Sequence, residues 1–180
     1  LIPYIGVNPQ TGDAEWLSAE GTPTTAPTSA DRVIVGDANP TFVGGLRNTF
    51  RYRAFDLNVF MNFSYGNDIA IGALRFTENP TGTFNKSTRL LDVWRQPGDN
   101  AYLPAYDSPT FRTFAQRSSA QLLDGSFLRL RNVTLGYTLP KSVIDRIGVI
   151  KGARFYATGN NLFTIKADGL EGIDPEVTDS

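Results

Sequence analysis

The chain has 180 residues, with 17 Lys+Arg against 18 Asp+Glu for a formal net charge of −1, and it contains no His and no Cys. Without cysteine there is no disulfide frame and no thiolate metal or redox site. Without histidine there is no Ser-His-Asp triad, no imidazole metal ligand and no imidazole proton shuttle, and the balanced charge argues against a nucleic-acid-binding surface.

Residues 1–40 are rich in turn formers. Asn8-Pro9, Thr11-Gly12-Asp13 and the Thr/Pro/Gly-rich stretch 21–29 read as loop. One apolar piece, residues 32–36, is expected to be a short strand.

From residue 41 the pattern alternates. Phe42, Gly44, Leu46, Asn48, Phe50 and Tyr52 share one face; Thr41, Val43, Gly45, Arg47, Thr49 and Arg51 share the other. Residues 55–65 alternate more sharply. Phe55, Leu57, Val59, Met61, Phe63 and Tyr65 are all apolar or aromatic, whereas Asp56, Asn58, Phe60, Asn62 and Ser64 are mostly polar. A period of two over eleven residues predicts a strand with an apolar side and a wet side. The short connection through residues 51–54 predicts an antiparallel hairpin over residues 41–65.

Residues 66–116 read as a long loop. Within it residues 69–76 could continue a strand, and residues 89–94 could form a helical turn. It also carries Trp94, Tyr102, Tyr106 and Phe111, whose apolar faces could stack on sugars or meet a partner, with local packing as the alternative. Strand patterning returns over residues 116–123 and 126–139. In the second, Val133, Leu135, Tyr137 and Leu139 share one face, but simple alternation then puts Arg129 and Arg131 on it too. A bulge, or a position outside the apolar layer, would resolve that conflict. Residues 141–148 predict a short helix ending at Gly148. A last strand is expected over residues 151–164, with Arg154, Tyr156, Thr158 and Asn160 alternating against Ala153, Phe155, Ala157 and Gly159. The acidic tail holds Glu171, Asp174, Glu176 and Asp179. These could suggest calcium, but the spacing fits no EF-hand loop and a solvated loop explains them better.

No apolar run is long enough for a transmembrane helix, which says nothing about a barrel, whose apolar residues alternate. Connections at one end of the strands are short (51–54 and 140–150), and those at the other are long (1–40, 66–116 and 165–180). Outer-membrane barrels have this asymmetry, with short periplasmic turns and long extracellular loops. The alternation alone also suits a secreted β-sandwich that binds glycans, or a small self-contained outer-membrane barrel. The latter would need about eight alternating segments, and four or five are visible. No P-loop, dinucleotide fingerprint or nucleophile elbow is present, so no enzyme activity and no cofactor are expected.

Residues 124–140, Asp-Gly-Ser-Phe-Leu-Arg-Leu-Arg-Asn-Val-Thr-Leu-Gly-Tyr-Thr-Leu-Pro, resemble the hallmark strand of SusC/RagA-type TonB-dependent outer-membrane transporters of Bacteroidota. The resemblance continues through residues 141–148, 154–164 and the Asp174-Pro175-Glu176-Val177 segment. Upstream it covers Thr11-Gly12, residues 35–40, Phe50, Phe55-Asp56-Leu57 and residues 64–68; residues 69–115 match least. It implies an all-β fold, part of a barrel of about 22 antiparallel strands with long extracellular loops. It also implies a plug domain, a TonB complex acting through that plug, a SusD-like surface lipoprotein as lid, and uptake of oligosaccharides or peptides across the bacterial outer membrane. On that basis residues 1–180 are expected to be a carboxy-terminal barrel segment lacking the plug and the family's final strand. Residues 117–164 would supply barrel strands with a short periplasmic turn, and 165–180 an extracellular loop. Phe55, Leu57, Val59, Met61, Phe63, Tyr65, Val133, Leu135 and Tyr137 are expected to face lipid. Asp56, Asn58, Asn62, Arg47 and Arg154 are expected to face the lumen, and Trp94, Tyr102, Tyr106 and Phe111 are candidate contacts for substrate or lid.

Overall fold

The computed structural model describes residues 1–81, 83–170 and 172–176. The chain divides into two compact units: residues 38–68 with 124–176, and residues 1–37 with 69–123.

The first unit is a four-stranded antiparallel sheet. In chain order the described strands are β1 (Tyr4–Val7), β2 (Ala14–Leu17), β3 (Pro23–Thr24), β4 (Phe42–Tyr52), β5 (Phe55–Tyr65), β6 (Asp68–Ala70), β7 (Leu122–Asp124), β8 (Phe127–Thr138) and β9 (Arg154–Lys166). The large sheet has the order β4-β5-β8-β9. β4 and β5 form a hairpin closed by the pair Tyr52 and Phe55. Its two-residue loop holds Arg53 at φ 53°, a left-handed conformation that a non-glycine residue adopts only under constraint. β8 and β9 are joined through the helix α3 (Lys141–Ile147), where Gly148 takes φ 71° and its N–H caps the Ile144 carbonyl.

The register resolves the arginine conflict. Phe60 pairs with Asn132 and Met61 with Leu130, so Arg131 is an extra residue bulged out of β8. On the other side Leu130 pairs with Phe163 and Asn132 with Asn160, so β9 carries its own irregularity at residues 161–162, with Asn161 at φ 50°. The bulge reverses the phase of β8. Leu128 and Leu130 therefore join the face of Met61 and Phe63, and Arg129 pairs with Asn62 and Thr164 on the opposite face. Pairing assigns every strand residue to a face. One carries most of the apolar side chains of residues 42–52, 55–65, 128–137 and 155–165; the other carries Arg47, Thr49, Arg51, Asp56, Asn58, Asn62, Arg129, Asn132, Thr134, Thr158 and Arg154, together with Val43, Phe60 and Tyr156.

The second unit draws on two distant stretches of chain. β1, β2 and β3 form a small sheet, and β6 pairs with β7. Its core is Ile2, Ala14, Trp16, Leu90, Leu103, Phe111, Phe114 and Ala120. Half-buried Tyr4 packs against it, edge-on to Trp16, Tyr102 and Phe114 at 5.1–6.1 Å. Several sequence expectations change here. Residues 32–36 form no strand: only one rung ties Leu1 to Val33, and Ile34 is 98% exposed. Residues 69–76 give the short β6 and then the helical turn α1 (Leu74–Thr77) instead of a longer strand. Residues 111–117 form the helix α2 (Phe111–Arg117), and the strand expected from 116 shrinks to β7. Phe111, Phe114 and Ala115 are all buried, an i, i+3, i+4 spacing that a helix satisfies and a strand cannot.

Candidate functional site

The two faces of the large sheet differ sharply. None of the core residues comes from its apolar face. Phe42, Phe50, Phe55, Tyr65, Phe155 and Ile165 are each at least half exposed. A β-sandwich would have buried these side chains between two sheets. Phe55, Leu57, Val59, Met61, Phe63, Tyr65, Val133, Leu135 and Tyr137 all lie on this face, and Asp56, Asn58, Asn62, Arg47 and Arg154 all lie on the other.

Aromatic rings gather at both ends of the apolar face. Phe55 and Tyr137 meet at 4.6 Å beside Tyr52 and Phe155; at the far end Phe42 stacks on Tyr65 at 5.0 Å and meets Phe63 edge-on at 5.9 Å. Aliphatic Leu46, Met61 and Leu130 sit in register between the two groups. The ten residue steps from Phe42 to Tyr52 cover about 34 Å of strand. At a tilt near 40° that is about 26 Å along the normal, against about 25 Å for the apolar band of an outer-membrane barrel.

The polar face carries two ion clusters. Near the hairpin, Arg154 donates from Nη2 to Asp56 Oδ2 at 2.7 Å and from Nε to Asp56 Oδ1 at 3.3 Å. β8 lies between them, and its residue at the crossing is Gly136; a Cβ there would come within 2.5 Å of both Arg154 Nη2 and Asp56 Oδ1. Beyond Asp56, the hydroxyl of Thr49 donates to Asn58, and Arg47 lies 5.2 Å from the centre of the Phe60 ring.

At the other end the two arginines of the bulge hold the chain that follows β9. Arg129 is nearly fully buried; its Nη2 donates to Asp174 and its Nη1 lies 2.8 Å from Glu176 Oε2. Arg131 donates to Glu176 and, at 3.1 Å, to Asn62. Lys166 Nζ donates to the Ile173 carbonyl at 2.9 Å, and Leu170 is fully buried. The Arg129 hydrogen bond, helped by the Glu176 N–H, holds the Asp174 carboxyl below the usual carboxylate range. Asp174 and Glu176 are therefore exposed loop residues that are also ion-paired; Glu171 and Asp179 lie outside the described residues. Asn62 is likewise engaged with Arg131. Sequence reading missed this clamp, although the out-of-phase arginines were its signal.

Three of the four loop aromatics meet in one packed cluster: Tyr106 lies edge-on to Phe111 at 6.5 Å, and Phe111 and Tyr102 both pack on Phe114. Phe111 is a core residue. Tyr102 packs on Tyr4 and Phe114 and donates its hydroxyl to the Ala120 carbonyl at 2.6 Å. Trp94 covers Gly12, where a Cβ would meet its ring at 2.4 Å, and donates Nε1 to the Pro9 carbonyl. Tyr106 alone of the four is exposed, at 55%. Beneath Tyr102, the fully buried Glu78 pairs with Arg89 at 3.0 Å, and Arg89 also lies over the Tyr102 ring. Burial pushes the Glu78 carboxyl above its ordinary range, against the opposing pull of Arg89.

No family model matches the chain. Three receptors of Formosa agariphila do. TonB-dependent receptor P3 is 35% identical over 150 residues, TonB-dependent receptor P26 is 30% identical over 148, and TonB-dependent receptor P39 is 27% identical over 149. These alignments take in 81–82% of this chain and 14% of each relative. Among solved structures, the RagAB peptide importer in its open-open state is 28% identical with a TM-score of 0.81, covering 98% of this chain and 19% of that one. The RagAB peptide transporter is 28% identical with a TM-score of 0.78, covering 98% and 20%. The chain thus spans about a seventh of the length of the relatives it matches. With this identity to TonB-dependent receptors and this likeness of fold, the chain belongs to the SusC/RagA-type TonB-dependent receptors, as a stretch of their β-barrel.

Proposed function

We propose that this chain supplies wall strands and extracellular loop structure to an outer-membrane importer of oligosaccharides or peptides. The importer draws its energy from a TonB complex through a plug and is closed from outside by a SusD-like lipoprotein. The observation that carries the reading is the four-stranded sheet, with one face apolar, ringed by aromatics and uncovered, and the other polar and ion-paired. Water cannot satisfy the first face, and lipid cannot satisfy the second. Phe55, Leu57, Val59, Met61, Phe63, Tyr65, Val133, Leu135 and Tyr137 then face lipid. Asp56, Asn58, Asn62, Arg47 and Arg154 line the lumen, where they keep the passage wet and do no bond chemistry. Residues 66–116 form an extracellular loop, and its exposed Tyr106 is the aromatic available to a substrate or lid. Peptides are supported by the structural neighbour, the RagAB peptide importer.

The test uses the whole polypeptide in its own organism. Deleting its gene should abolish uptake of fluorescent peptides or oligosaccharides. A protonophore should abolish uptake in the wild type, and the protein should fractionate with the outer membrane beside a lipoprotein. Recovery of the protein in a soluble fraction, or uptake that persists without it, would overturn the reading.

A further inference from the structure

The polar face is not balanced in charge. At the end bearing the short connections it holds a hollow of about 430 Å³, lined chiefly by Arg51, Arg53, Asp56, Asn58, Thr138 and Arg154. Three guanidiniums there share one carboxylate. The register sets Arg51 directly opposite Asp56. Asp56 nevertheless turns to Arg154 through the gap that Gly136 leaves, and accepts a further bond from the Asn58 amide at 3.4 Å. Arg51 and Arg53 form no ion pair among the described residues. Arg53 stands at the hairpin tip in left-handed backbone, with its guanidinium 5.4 Å from the centre of the Tyr52 ring. A guanidinium stacked by its face keeps its N–H edge for an acceptor. The opposite end of the same face shows no such excess: Arg129 and Arg131 are matched there by Asp174 and Glu176.

We infer that this hollow is an anion subsite that receives the carboxylate end of a peptide at the inner mouth of the passage. Charge sets the class of ligand, because an excess of two cations in a concave site concentrates anions. The donors set the group. Guanidinium forks match a planar carboxylate at two points, and Arg154 already holds Asp56 in that way. Place sets the source. Short connections lie on the periplasmic side of such barrels, so the hollow meets whatever travels through the lumen, and a peptide carries a carboxylate at its end. The inference rests on the importer reading proposed above, with a peptide as cargo.

The test measures uptake by cells carrying the full-length receptor. Two fluorescent peptides of one sequence are labelled at the N-terminus and end in a free carboxylate or in a carboxamide. The wild type is expected to import the free acid at least threefold faster. Arg51→Gln should bring the ratio near one, by slowing the free acid and leaving the amide unchanged. Arg146→Gln removes the same charge from an exposed position of α3 and should keep the wild-type ratio. Should Arg51→Gln fail to assemble, Arg53→Gln should narrow the ratio at least twofold. Equal rates for the two peptides in the wild type, a wild-type ratio in the assembled variant, or the same loss in Arg146→Gln would each overturn the inference. Entry of both peptides at unchanged rates in cells lacking the receptor would instead overturn the function it rests on.

Discussion

Asp56 and Arg154 are joined by a two-point ion pair across a strand to which neither belongs. Asp56 is on β5, Arg154 is on β9, and β8 passes between them. The bridge exists because β8 has Gly136 at the crossing, with no side chain to stand in the way. A planar guanidinium is suited to such a fork.

Gly136→Val tests this relationship. Valine suits a strand, so propensity alone favours it. Its Cβ would nevertheless collide with both charged groups, and overpacking of this kind costs about 1–3 kcal/mol. Asp56→Asn should cost less than about 1 kcal/mol, because Arg154 is half exposed and open ion pairs contribute little. The temperature at which the folded barrel shifts on an unheated gel should fall more for Gly136→Val than for Asp56→Asn. The reverse order would show that the glycine is not there for the bridge.

The assignment of faces is tested at mid-strand. Met61 sits between Leu46 and Leu130 on the apolar face. Met61→Arg should destabilise the barrel in lipid vesicles by about 2–4 kcal/mol, the cost of a cation at the lipid midplane. Asn58→Arg, on the opposite face, should stay within about 1 kcal/mol. Comparable losses for both would overturn the assignment.

Arg129 bridges two carboxylates, one from each terminal nitrogen. Lysine has a single charged point and cannot reproduce that geometry. Arg129→Lys and Arg129→Gln should both raise hydrogen exchange in residues 167–176, with Gln the larger effect, while amides of β4 and β5 keep their protection. Unchanged exchange in the segment would show that Leu170 holds it without the clamp.

Glu78 predicts a pH dependence with a definite sign. Burial raises its folded-state pKa above the unfolded value. The stability linked to it is therefore fully present below the unfolded Glu range and is lost as pH rises through the folded value. Hydrogen-exchange protection of the core around Phe114 should fall as pH rises above the ordinary Glu range. Glu78→Gln should flatten that slope, whatever its effect on absolute stability. An identical slope in the variant would assign the dependence to another group.

The hairpin, its two faces and the end with the short connections were legible because a period of two is a local property: neighbours in sequence decide it. The motifs of β8 and β9 added the family. Two features, and the place of a third, were not legible, for one physical reason. A bulge was one of two ways to resolve the arginine conflict, but its place at Arg131 depends on which residue of β5 stands opposite. The helix α2 depends on a core that Ile2 and Trp16 bring to Phe111 and Phe114, and the Tyr4 hydroxyl finds its acceptor 98 residues away, at Tyr102. The clamp depends on Asp174 and Glu176 folding back 45 residues to Arg129 and Arg131. Alternation told the sequence reader that two arginines were out of phase. Only the tertiary structure, by supplying their partners, decided that the strand shifts its phase and that both arginines face the polar side.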